Sequence, residues 1–105
     1  MDFFASLDRA RALQHGGSIE SLRDARQQVE LYAPLARSLG PNFYHSVALT
    51  IGEAYLAEGD PMRGLHWLVR ACNTVERSRL MERSIEAASA ITGEPQSYYR
   101  GKYQC

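Results

Sequence analysis

Cysteine is scarce: Cys72 and Cys105 are the only two in 105 residues. Neither their spacing nor their setting resembles a disulfide framework or a zinc site. Both read as free thiols, which fits a reducing compartment. Net charge is missing as well, with 12 Lys/Arg against 12 Asp/Glu and a pI near 6.8, and that balance argues against a dedicated nucleic-acid binder. No stretch approaches the ~20 apolar residues of a membrane span, so no membrane partner is expected. The opening MDFFASLDRARA has neither a basic leader nor an apolar run of signal-peptide length, and cytoplasmic location is the expectation. HExxH, GxSxG and phosphate-loop motifs are absent too. His15, His45 and His66 stand 21 or more residues apart and read as surface or packing residues rather than ligands. The expectation is a protein that is not an enzyme and has no metal or cofactor.

What is present is the composition of one globular domain, 45% hydrophobic and 23% charged. Charge is uneven along it. Residues 1–61 carry five Arg against eight Asp/Glu, which makes −3, and residues 62–105 carry seven Lys/Arg against four Glu, which makes +3. Opposite ends of opposite sign suit a charged partner surface or head-to-tail stacking; scatter over solvated faces accounts for them equally well.

Apolar residues recur at helical steps throughout. The spacing predicts helices over 2–15, 18–39, 43–58, 61–75 and 78–92. In the first, Phe3 and Phe4 are a large apolar payload whose expected home is the core, with an oligomer interface as the alternative. In the second, Leu22, Ala25, Val29, Tyr32, Ala36 and Leu39 form one stripe, opposite a polar face that includes Arg23, Asp24 and Arg26, with a kink or break expected at Pro34. The third is apolar over much of its circumference. Gly52 in its middle costs about 1 kcal/mol of helix propensity, which makes sense if another helix packs close over it. In the fourth, Leu65, Leu68, Val69, Ala71, Cys72 and Val75 point inward and Trp67 lies at the side of that stripe, either sealing a helix seam or anchoring a partner. The tail, 96–105, carries three tyrosines and no acid; a partial helix, a docked strand and disorder all remain open for it.

A turn repeats. Gly59-Asp60-Pro61 and Gly93-Glu94-Pro95 are 34 residues apart, and the same offset relates Ile51 to Ile85 and Ala54 to Ala88. Within 44–75, Gly52 and Tyr55, Gly59 and Asp60, then Gly64, Leu68 and Ala71 follow one another in the pattern of the tetratricopeptide repeat, which this stretch resembles. Departures are Ala48 where a bulky residue is usual, Glu76 where a proline is usual, and Glu86 and Ser89 where the second copy should have Gly and Tyr. The resemblance implies an all-α fold of antiparallel helical hairpins stacked as a short right-handed solenoid of about five helices. It implies one domain over 1–95, closed by a degenerate capping repeat.

The resemblance also implies a function, a non-catalytic interaction module. As an adaptor or small chaperone, it would hold an apolar or amphipathic peptide in a concave groove formed by Ser46, Leu49, Glu53, Leu56, Leu80, Arg83 and Ala87. The Lys/Asn clamp that some members use for a terminal carboxylate is replaced by Leu49 and Glu53. The alternative is a homo-oligomerisation module whose groove is filled by its own copy. Arg63, Arg70 and Arg77 recur at seven-residue steps as a basic strip, a solvated face or an acidic partner's site. Protein or peptide partners are expected; nucleic acid is disfavoured.

Overall fold

Helix starts follow from side chains that satisfy orphan backbone N–H groups. In the computed structural model, which describes residues 2–71 and 74–103, Asp2 caps α1 (Phe3–Leu13) and Ser18 caps α2 (Ile19–Ala36). Pro41 opens α3 (Pro41–Ala57), Asp60 and Pro61 open α4 (Pro61–Leu68), and Thr74 caps α5 (Val75–Thr92). Two stops are glycines in the left-handed region, Gly59 at φ 87° and Gly93 at φ 81°. The described residues are all-helical, and no helix among them is long and apolar enough to cross a membrane.

Two segments differ from the expectation, and in the tail one of the open alternatives, a partial helix, forms: α6 (Gln96–Lys102) turns Tyr99 and Tyr103 onto Leu65, Ile85 and Ala88. The fourth helix ends at Leu68 rather than 75. The Leu68 carbonyl, which would carry it onward, is taken by the Ala71 N–H (3.0 Å) and the Arg77 Nε (2.7 Å). Val75, expected inward at the end of that helix, instead begins α5 and is 71% exposed. Cys72 and Cys105, read as free thiols, lie outside the described residues. The second helix runs through Pro34 and tightens into a 3-10 turn at Arg37–Leu39.

The buried stripe of α2 is also different. Leu22, Ala25, Val29, Ala33 and Ala36 are buried, whereas Tyr32 and Leu39 are exposed. A step of four or of three after Val29 fits helical periodicity equally well, and only the neighbours decide. Phe3 is half-buried and packs on the α1–α3 core, but Phe4 stays 55% exposed.

Two cores result. One lies among α1, α2 and α3 around Leu7, Val29, Val47 and Ile51; the other lies among α4, α5 and α6 around Leu65 and Ile85. They meet where α4 lies on α3. A Cβ on Gly52 would stand 2.7 Å from the Leu68 side chain and 3.1 Å from the Gly64 carbonyl oxygen, and one on Gly64 would stand 3.0 Å from the Gly52 oxygen. The close packing that the mid-helix glycine implied is therefore a reciprocal backbone approach.

A buried polar network fastens α2 to the same pair. Arg26, only 8% exposed, makes a two-pronged contact with Glu58 (2.9 and 2.8 Å) and reaches Glu30 (2.9 Å) and the Tyr55 hydroxyl (3.1 Å). Its guanidinium stacks on the Tyr55 ring at 4.2 Å, and the Glu58 hydrogen bonds hold it still more firmly protonated than usual. The Trp67 Nε1 donates to Glu30 (3.1 Å), so Trp67 seals the seam between α2 and α4. Burial and the Glu30 hydrogen bond push the Tyr55 hydroxyl up to about 12.

Gly52→Leu should cost about 3 kcal/mol through overpacking, read as a lower urea midpoint. Gly101→Ala, where the new Cβ meets nothing within 4 Å, should stabilise by roughly 0.5–1 kcal/mol. Arg26→Ala leaves the Glu58 carboxylate, 4% exposed, buried without its main partner. That variant should lose about 3–5 kcal/mol in the same measurement.

Candidate functional site

The face of α3 turned away from this network is open. Along it Ser46, Leu49, Thr50 and Glu53 are joined by Arg11, Gln14 and His15 from the end of α1 and by Glu76 from the start of α5, around a hollow of ≈ 390 Å³. A second hollow of ≈ 250 Å³ shares Ser46, Leu49 and Glu76 and continues past Asn42, His45, Ala71 and Thr74. Together they make one trough with an apolar floor, half-buried Leu49 and buried Ala71, and polar walls.

Hydrogen bonds set the walls. The Arg11 Nη2 donates to Ser46 Oγ (2.8 Å) and its Nε to Thr50 Oγ1 (3.1 Å), which lays the end of α1 along α3. The Gln14 amide nitrogen reaches the Thr50 carbonyl (3.4 Å), while its buried Oε1 has no partner. His45 Nδ1 lies 2.7 Å from the Arg70 carbonyl oxygen. That oxygen only accepts, so Nδ1 carries the proton. His15 is exposed on the trough wall, and His66 contacts the Tyr103 hydroxyl at 3.3 Å. Among the described residues no group of three or more His, Cys, Asp or Glu side chains could hold a metal ion.

Of the expected groove residues, Ser46, Leu49 and Glu53 line this trough. Arg83 lies near enough to act on the Glu53 charge. Leu80 is 3% exposed and belongs to the interior, because α5 turns that side of its first turns inward together with Arg77. Leu56 and Ala87 are half-buried and line neither hollow. The sequence reading missed Arg11, Gln14, His15 and Glu76. Each is an ordinary polar residue near a helix end, and nothing local signals that α1 crosses α3 there.

The basic strip is not continuous. Arg63 pairs with Asp60 (3.4 Å), Arg70 stacks over the Trp67 ring (4.5 Å), and Arg77 is buried at 5% exposure on the Leu68 carbonyl. Seven-residue spacing aligns residues on one uninterrupted helix, and the break after Leu68 puts Arg77 on another.

Burial raises the Glu53 carboxyl above the usual range and Glu76 adds to this, against opposing pulls from His15 and Arg83. Compared with known proteins, the chain matches no family model, no curated protein and no solved structure.

A carboxyl whose pKa is raised by folding binds its proton more tightly when folded, so ionising it destabilises the fold as pH rises through that window. Glu53→Gln should therefore stabilise the protein at neutral pH, with the gain vanishing below about pH 4, in thermal melts run across pH.

Proposed function

We propose that the chain is a non-catalytic protein-interaction module, a short tetratricopeptide-like array that works in the cytoplasm as an adaptor or small chaperone. Its ligand is an amphipathic segment of another protein, laid along the trough between α1, α3 and α5. The observation that carries this reading is the continuity of the two hollows through Ser46, Leu49 and Glu76, because a track longer than one side chain suits an extended or helical segment.

The polar walls favour an amphipathic segment over a wholly apolar one. Leu49 and Ala71 offer contact to its apolar side. Glu53, partly desolvated beside Glu76, gains from a ligand cation set over the pair. The unpartnered Gln14 oxygen is an acceptor for an amide N–H once a small shift of the side chain opens it. A ligand that seats its own hydrogen-bonding groups on these walls avoids leaving buried polar groups unpaired.

Selection from a displayed library of short random peptides tests this. Winning sequences should pair apolar residues with Lys or Arg, and Leu49→Asp should weaken them at least tenfold with far-UV circular dichroism unchanged. Glu53→Lys should reverse the charge preference. Binding that survives Leu49→Asp undiminished would place the ligand elsewhere.

A further inference from the structure

A second apolar face lies away from the trough. Leu31, Leu35 and Leu39 step by four along the outer side of α2 and the 3-10 turn after it, 66%, 65% and 60% exposed, with Tyr32 at 41% and Phe4 at 55% beside them. Phe3, Phe4, Tyr32, Leu35 and Leu39 surround a hollow of ≈ 290 Å³ whose only charged lining residue, among the described residues, is Asp2. Phe4 is held in place there, its ring 5.7 Å from both Phe3 and Phe43. From residue 31 to residue 39 the one charged side chain is Arg37, and it is stacked on the Tyr44 ring (4.7 Å) with a hydrogen bond to the Tyr44 hydroxyl.

Five large side chains left about half exposed amount to roughly 500 Å² of apolar surface, close to the upper end of what monomers leave open. Depletion of charge at the centre of such a patch is the compositional mark of an interface. We propose that a second copy of this chain covers it, in a two-fold dimer with the two α2 helices antiparallel and Leu35 near the axis.

Three features select a second copy over another partner. A ridge of residues at i, i+4 and i+8 packs against an identical ridge at an angle of about −50°. Leu31 and Leu39 lie four residues either side of Leu35, so antiparallel pairing sets the projecting Leu31 of each copy at the Leu39 edge of the other's hollow. The same face thus holds both the knob and the hole that an isologous contact requires. The face is also nearly uncharged, so it meets its own copy without like-charge repulsion.

Two such faces, with their polar rims, reach roughly the 1,200 Å² at which specific interfaces begin. No residue lining this hollow lines the trough. The dimer therefore leaves the peptide site free, and the proposal stands apart from that reading.

Sedimentation equilibrium over a concentration series tests it. The wild-type chain should sediment at twice its 11.8 kDa in the micromolar range. Leu35→Asp and, separately, Leu39→Arg should weaken self-association at least about 30-fold with helicity unchanged. Both sites are exposed, so neither variant disturbs the core. Leu49→Asp in the trough should leave the dimer intact. A wild-type chain that stays monomeric up to ~100 μM, where a dimer of useful affinity would have formed, overturns the proposal. So does a dimer that both α2 variants leave unchanged, or one that Leu49→Asp alone dissociates.

Discussion

The fold depends on how closely α3 and α4 approach. With glycine on both helices at the crossing, Gly52 and Gly64 let the two backbones come nearly into contact, and the Leu68 side chain fills the space a Cβ would have taken. That approach sets the position of everything α4 carries. It brings the Trp67 indole within reach of Glu30 on α2 and leaves the Leu68 carbonyl where Arg77 can cap it. A larger residue at either position would move the hinge between the two cores, because packed interiors absorb added volume poorly.

The polar network around Arg26 ties α2 to both α3 and α4 and gives specificity to packing that alanines alone would leave loose. Val29, Ala33, Ala36, Ala48 and Ala54 are small and permit many neighbouring registers. The guanidinium, held by Glu58 and Glu30 and stacked on Tyr55, satisfies its donors in one arrangement of α2 and α3. Buried ion pairs return little net stability against a well-packed apolar replacement, but they penalise misplacement strongly. The aromatic hydroxyl and the indole N–H find partners in the same cluster, as buried Tyr and Trp require.

Two surfaces remain, and they differ in kind. The trough on α3 has an apolar floor with polar walls whose hydrogen bonds are partly used within the chain. The outer face of α2 is apolar and almost uncharged. The first suits a ligand that must present both apolar and polar groups; the second suits burial against a like surface. Because no residue lines both, occupation of one need not disturb the other.

How much of this was legible follows from the range of each interaction. Caps, stops and helical periods are local, so Asp60 and Pro61 before α4, the glycines after α3 and α5 and the polar walls of each helix could be read from neighbouring letters. The mid-helix glycine pointed to a close contact because nothing local justified its propensity cost. By itself, then, the sequence determined that the described chain is helical, where most helices begin, and that something must press on Gly52. Tertiary structure decided what depends on residues far apart. Arg77 caps the last carbonyl of the fourth helix from nine residues away, and the buried Arg26 is received by Glu58 on α3. Ala33 rather than Tyr32 faces inward, and the end of α1, not α5 alone, walls the trough. Periodicity places a residue on a face of its own helix; which neighbour covers that face is set by packing between elements, and a local pattern carries no record of it.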